Sequence, residues 1–428
     1  MTADRTNRPR STPSTRRRPD LLSDQIRSPS TLSDTSKTRE GPTFRTPREL
    51  FLLPPDHPDR SKILARGYGW VTCFLGTVYD RLDVNGSKIV DPREQVKSMK
   101  RVAILGAGGM GTALALLFAR RGLTVQLWAR SEADVAAMVQ SRENARHLPG
   151  VTIPSGIGIT ANACDATEAV DLVVAAIPSA YLRATLDRIA ERVPMKVPVL
   201  SVIKGIENET LARPSQIIVE TLGARPVAIL SGPGHAEELA RGLPASLVVA
   251  GEDDGLNTRI RDTLNGGAFR VYSNPDAIGV ELAGALKNVL GIAAGICDGL
   301  GFGDNAKAAL VTRGLVEMAR FAVDQGARPS TFYGLAGVGD VLTTCYSPFG
   351  RNRAVGASLG RGNTLAETLS GMASVAEGVT TARSLHEWAN RRGVEMPIAA
   401  EVYRILFEAK SPLDAVTALM ERDPKDEW

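Results

Sequence analysis

The sequence predicts an α/β protein in which a doubly wound parallel sheet is followed by an all-helical C-terminal domain and preceded by a largely disordered arm. Three observations carry this. From residue 100 onward, apolar runs alternate with helical stretches. The runs are near-continuous in apolar residues, as expected of strands covered on both faces. After FRVYS (269–273) strand signals stop and helical patterns continue. The expected divisions are an extension (1–98), a sheet domain (99–275) and a helical domain (276–428).

The first 60 residues are rich in Arg, Ser, Thr, Pro and Asp and have almost no apolar periodicity before ELFLLPP. Such a segment cannot bury enough surface to offset its ordering entropy. An Arg/Ser-rich start suggests organelle targeting, but Asp4, Asp20, Asp24, Asp34 and Glu40 argue against a transit peptide. Residues 61–86 hold a short amphipathic segment with Trp70, Phe74 and Tyr79, expected to dock on the main body or a partner. Met99 opens MKRVAILGAGGMG, a natural start for the sheet domain.

The net charge of +4 is small for 428 residues, and Arg16, Arg17 and Arg18 in the arm supply much of it. Bulk charge therefore gives no case for nucleic-acid binding. Cys73, Cys164, Cys297 and Cys345 show no C-x-x-C spacing, and the four histidines form no ligand pair. A disulfide framework or metal site is not expected, and a reducing, cytoplasmic setting is. No run reaches the ~18 apolar residues of a membrane span.

The expected strands are 101–105, 124–128, 171–177, 198–203, 226–230 and 246–251, with helices such as MGTALALLFARRG and SAYLRATLDRIAERV between them. Between the first strand and its helix lies G-x-G-x-x-G. Gly106 would make the tight turn, Gly108 would let the backbone approach a pyrophosphate, and Gly111 would let helix and strand pack closely. Free N–H groups at the helix start favour the anion. In this context the motif points to a Rossmann-type dinucleotide site, although a purely structural glycine turn has the same pattern. At the end of the second strand Arg130 stands where an acidic residue would favour NAD(H). A guanidinium suits a 2′-phosphate, so NADP(H) is expected alongside NAD(H). Alternatively, Arg130 is a surface residue stacking on adenine.

The stretch ELAGALKNVLGIAAGICDGL (281–300) is apolar or small almost all round a helical wheel, yet holds Lys287 beside Asn288. Such a helix is expected to be buried. Its lysine could snorkel to the surface, pair with a carboxylate, or act as a catalytic group tuned by burial. Polar features that could converge on it lie on two candidate loops, Asp340 with Thr344 one turn later in AGVGDVLTTC and Arg351 with Asn352 in FGRNR, and at a strand end, Lys204. Arg351 and Asn352 suit a phosphate or carboxylate. Lys204 should face the crevice beyond the strand ends. Gly-rich helices pack closely within a domain or between subunits, which leaves a homodimer open.

GAGGMGTALA, SVIKGI, SGPGHAEELA, ELAGALKNVLGIAAGICDGL, AGVGDVLTTC, RNR and AEGV occur in this order. Over about residues 100–425 the chain resembles the bacterial-type NAD(P)-dependent glycerol-3-phosphate dehydrogenase family. The resemblance implies that Lys287 is the proton acceptor when glycerol 3-phosphate is oxidised and that Lys204 touches cofactor and substrate. It implies that Gly232, Gly234, Asp340, Gly350, Arg351 and Asn352 face the substrate, and Asn288 and Thr344, beside Lys287 and Asp340, are further candidates for substrate binding. Gly109, Met110, Arg130, Ala236, Arg351, Val375 and Glu377 fall on dinucleotide-binding positions. Two departures stand out, because the family usually has a hydroxyl residue where this chain has Gly234 and Gly350. Met110 also replaces an aromatic residue often found in the loop. The implied role is glycerol 3-phosphate supply for phospholipid synthesis. Another dehydrogenase on the same plan, acting on a hydroxy acid or sugar acid, and a non-catalytic NAD(P)-binding regulator are the alternatives.

Overall fold

The computed structural model describes residues 99–372, 376–424 and 426–427. The arm, its amphipathic segment 61–86 and Val375 lie outside the described residues.

Ten strands run in chain order: β1 (Arg101–Leu105), β2 (Thr124–Trp128), β3 (Glu143–Asn144), β4 (Leu148–Thr152), β5 (Ile157–Thr160), β6 (Leu172–Ala175), β7 (Val199–Ser201), β8 (Val227–Ser231), β9 (Ala245–Gly251) and β10 (Phe269–Asn274). Eight form one sheet in the order β10-β9-β8-β7-β6-β1-β2-β5, while β3 and β4 make a separate hairpin. Strands β5, β2, β1, β6, β7 and β8 are parallel neighbours. Reading outward in both directions from β1, the strand order reverses between β1 and β6, and dinucleotides bind at such a switch point.

Three features differ from the sequence expectation, the first being the β3–β4 hairpin, which was not expected. The four-residue β5 was not expected, because Gly158 interrupts its apolar run; that glycine lies against the Gln126 side chain of β2. Strand β9 is antiparallel to β8. Its connecting helix, Ala236–Arg241, has six residues. At ~1.5 Å per residue it rises ~9 Å, less than the ~17 Å of a five-residue strand, so the chain re-enters the sheet from the same end.

Beyond the sheet the described chain is helical. Helix Ala277–Gly299 is buried continuously from Gly279 to Cys297. By length and composition it could cross a membrane, but all of its apolar window is buried inside the protein. The fold covers it with Asp304–Asp324, Arg351–Gly360, Glu377–Arg392 and Pro397–Phe407. Its core also takes in Ile229, Val248 and Ala250 from β8 and β9, so sheet and helices share apolar contacts. Two charged groups fix its N-terminal half. Asp276 caps Gly279 N–H and also accepts from Arg328 N–H and Thr331 Oγ1. Buried Glu281 accepts from Arg213, the Ser215 N–H and the Ser215 hydroxyl.

The glycines of this helix have an internal use. A Cβ on Gly295 would sit 2.0 Å from Arg353 O, and one on Gly299 2.5 Å from Ala357 O. Across the contact, a Cβ on Gly356 would sit 1.9 Å from Ile292 O, and one on Gly360 2.6 Å from Ile296 O. The two helices touch backbone to backbone within one chain, and this places Arg351 and Asn352 beside the middle of the long helix.

Candidate active site

The chemistry-bearing residues gather beyond the carboxyl ends of the parallel strands. At the end of β1, Gly106 has φ +118, and a Cβ there would lie 2.5 Å from Ala176 O. A Cβ on Gly111 would lie 1.9 Å from Gly106 O, whereas one on Gly108 would meet nothing within 4 Å. The first and third glycines permit the turn and the close packing, and the second leaves open space at the start of helix Gly109–Arg120. Gly109 faces His147 O and the Ala236 side chain, so the β3–β4 hairpin and the turn after β8 flank the loop. Arg130 is exposed two residues beyond β2.

The turn after β8 reads Ser231-Gly-Pro-Gly-His235. Gly232 has φ +118, which only glycine adopts readily. Met110, Lys204, Ser231, Gly232 and Gly234 line one small cavity. Ser231 Oγ is buried there without a hydrogen-bond partner. An open glycine cradle beside an unpartnered buried hydroxyl fits a dinucleotide, whose phosphates and polar ring substituents offer partners to both.

Lys287 is 8% exposed and does not snorkel. Its ammonium donates to Asp340 Oδ1 and, at 2.5 Å, to Thr344 Oγ1. Asp340, 1% exposed, accepts through Oδ2 from Lys204 Nζ at 2.5 Å. Lys204 Nζ also donates to Gly232 O at 3.2 Å. One carboxylate thus bridges two ammonium groups. Burial pulls the Lys287 pKa down to about 8; Asp340 opposes the shift and Lys204 adds to it.

Asp340 and Arg351 are not on loops, as the sequence suggested. Asp340 is the first residue of helix Asp340–Tyr346, which runs on from a π-helical turn, Leu335–Gly339. Arg351 opens helix Arg351–Gly360 with Gly350 as its N-cap. The helix start puts Asp340 and Thr344 on one face, both within reach of Lys287.

Asn288 and Asn352 do come together, but with each other. Asn288 Nδ2 donates to Lys204 O, Asn352 Nδ2 donates to Asn288 Oδ1, and Asn352 Oδ1 accepts from Gly378 N–H. This chain of amides ties the strand end, the long helix and two further helices together. Among the described residues no group of three or more His, Cys, Asp or Glu could hold a metal ion. A larger cleft of about 800 Å³ lies among Arg183, Arg213, Trp388 and Arg392, away from these groups. Its arginines are ion-paired with Glu207, Glu220, Glu281 and Asp324.

The N-terminal region of the NAD-dependent glycerol-3-phosphate dehydrogenase family matches residues 101–257, and its C-terminal region matches 276–417. The chain belongs to that family. A glycerol-3-phosphate dehydrogenase [NAD(P)+] from Thiobacillus denitrificans is 47% identical over 77% of this chain and 100% of its own length. One from Moorella thermoacetica is 46% identical over 75% and 96%. The crystal structure of the Coxiella burnetii glycerol-3-phosphate dehydrogenase superposes with a TM-score of 0.73 at 37% identity, covering 76% of this chain and 99% of that one.

The two glycines where the resemblance leads one to expect hydroxyl residues differ in the room around them. A Cβ on Gly234 would meet only the flexible ends of Leu247 and Leu239, at 3.3 and 3.4 Å. At Gly350 a Cβ would lie 2.8 Å from Thr344 O, so a hydroxyl residue there requires backbone adjustment. Glu377 opens helix Glu377–Arg392, near Ser179 just beyond β6. Burial raises its pKa, opposed first by Arg351. Two polar groups at the site, Ser231 and His235, were not singled out from the sequence. Their signal was present in SGPGH, but only tertiary placement shows them buried and unpartnered.

Proposed function

We propose that this family member catalyses reversible hydride transfer between NAD(P)H and dihydroxyacetone phosphate, giving sn-glycerol 3-phosphate for glycerophospholipid synthesis. The observation that carries the reading is the buried Lys287–Asp340–Lys204 bridge beside the glycine loop.

When bound, the nicotinamide supplies or accepts the hydride at the substrate C2. In reduction, Lys287 gives a proton to the C2 oxygen; in oxidation, neutral Lys287 takes the hydroxyl proton. A pKa of about 8 leaves roughly one lysine in eleven neutral at pH 7, against about one in three thousand at the ordinary 10.5. Burial therefore supplies the base form that oxidation needs, while ample ammonium remains for reduction. Asp340 and Thr344 hold the Lys287 ammonium in place. Lys204 lies between cofactor and substrate, and Arg351 with the first turn of its helix receives the phosphate. Asn288 and Asn352 act mainly by fixing these elements. Gly106, Gly108, Gly109, Met110, Gly111 and Ala236 bound the pyrophosphate region, Glu377 adjoins it, and Arg130 is placed for a 2′-phosphate. A cytoplasmic location and a homodimer belong to the same reading.

The test is NADPH or NADH oxidation with dihydroxyacetone phosphate, followed at the nicotinamide absorbance. Turnover that disappears in folded Lys287→Ala supports the reading, and near-normal turnover in that variant removes it. A faster rate with NADPH than NADH supports the role of Arg130.

A further inference from the structure

The mechanism gives no task to His235, a titratable side chain beside the crevice. His235 precedes helix Ala236–Arg241 and comes just after the cavity-lining Gly234. Its Nε2 is buried and has no hydrogen-bond partner. Buried polar atoms in folded proteins are rarely left so, and an exception at a site points to a ligand that completes it. The imidazole packs edge-on against Phe349, with ring centroids 5.7 Å apart. Phe349 leads directly into Gly350 and Arg351, where a ten-residue helix begins with no side-chain cap. Phe349 thus couples the imidazole to the start of this helix.

The charged groups that act on the ring are Lys287 and Asp340 across the crevice and Glu237 and Glu238 on its own helix. Burial, then the Lys287 ammonium, lowers its pKa, which favours the neutral imidazole. A neutral ring can donate one N–H to an anion and can take up a proton when a dianion arrives.

We propose that His235 is a substrate contact, its Nε2–H donating to a phosphoryl oxygen bound at the start of helix Arg351–Gly360. This rests on the phosphorylated substrate proposed above. It assigns Nε2 as the protonated nitrogen, and it gives the site a donor next to the position where Gly234 has none.

The experiment compares wild type, His235→Phe and His235→Asn. Phe keeps a ring against Phe349 without the donor, and Asn restores a donor. The measurements are kcat and KM for dihydroxyacetone phosphate from pH 6 to 9 and the Kd for NADPH. His235→Phe should raise that KM by about tenfold or more, as loss of a hydrogen bond to a charged group does. Its kcat should change by less than about threefold and its NADPH Kd should hold, with part of the KM loss recovered in His235→Asn. Because phosphate binding draws a proton onto the imidazole, wild-type KM should rise more steeply from pH 6 to 8 than that of His235→Phe. A KM within twofold of wild type with the same pH dependence overturns the proposal.

If the variants do not fold, ¹⁵N-imidazole spectra of the wild-type chain decide. A shift of the His235 Nε2 resonance on adding sn-glycerol 3-phosphate or inorganic phosphate supports the contact, and none at saturation overturns it. An inactive wild type would count against the proposed reaction, while these spectra would still judge the histidine.

Discussion

Replacing Asp340 by Asn tests the electrostatic logic of the site most directly. The carboxylate is 1% exposed and faces two ammonium groups, Lys287 and Lys204. At an effective dielectric of about 20, unit charges ~4 Å apart interact by about 4 kcal/mol, and an opposite charge at such range commonly moves a pKa by about 1–3 units. Burial already brings Lys287 down to about 8 with Asp340 opposing it. Removing that opposition, while Lys204 still repels, should lower the value to between about 5 and 7. In the proposed mechanism oxidation requires neutral Lys287, so kcat/KM for glycerol 3-phosphate should rise with pH through this value in the free enzyme. Wild type should climb until about pH 9, whereas Asp340→Asn, though slower, should be level by about pH 7.5. The second ionisation of the substrate phosphate, near about 6, gives both proteins a separate acid limb. Asp340→Glu keeps the charge and should retain the limb near 8. The assay is initial-rate oxidation from pH 5.5 to 9.5, with NADPH binding as the check on folding. A limb in Asp340→Asn that stays at 8 or moves upward refutes the reasoning.

Two further outcomes rest on the packing. Gly295→Ala places a methyl group 2.0 Å from Arg353 O and should push away the helix carrying Arg351. Overpacking costs about 1–3 kcal/mol; thermal unfolding should show that loss with a raised KM for dihydroxyacetone phosphate, while Gly156→Ala, in open space, should leave both unchanged. Glu317 is buried and accepts from the Ile398 and Ala399 N–H groups at the start of helix Pro397–Phe407. Burial raises its pKa from 4.5 to about 7. The folded state thus binds this proton more tightly than the unfolded state, and stability falls as pH rises from about 4.5 to 7, by up to about 3 kcal/mol. Urea midpoints at pH 5 and 8 should differ less in Glu317→Gln than in wild type, and equal differences would refute the assignment.

What the sequence revealed and what it hid divide along a physical line. The glycine loop was legible because its requirements are local: a turn, an open approach and a close packing within six residues. Lys287 was legible for a different reason. An ammonium in an otherwise apolar helix conflicts with its surroundings, and such conflicts mark function or a buried pair. Here the buried pair is what the structure shows, with its partner shared with Lys204, and the functional reading rests on the proposed mechanism. Asp340 and Thr344 were legible through helical spacing, although the helix starts one residue earlier than a loop-borne Asp would imply.

The hidden features depend on partners distant in sequence. Nothing local in Asn288 or Asn352 tells that each amide will bond the other, so the two looked available to substrate. Glu281 read as one more residue of an apolar helix until Arg213 and Ser215 met it across the fold. The stripe Gly291, Gly295, Gly299 could equally have served a second subunit. It was the matching Gly356 and Gly360, farther along the sequence, that claimed it for the chain itself. The same holds for His235: an imidazole in SGPGH is ordinary until burial removes water from Nε2 and no protein group replaces it. A group that the fold has desolvated but not satisfied is information only a structure contains, and it is the strongest pointer here to chemistry beyond Lys287.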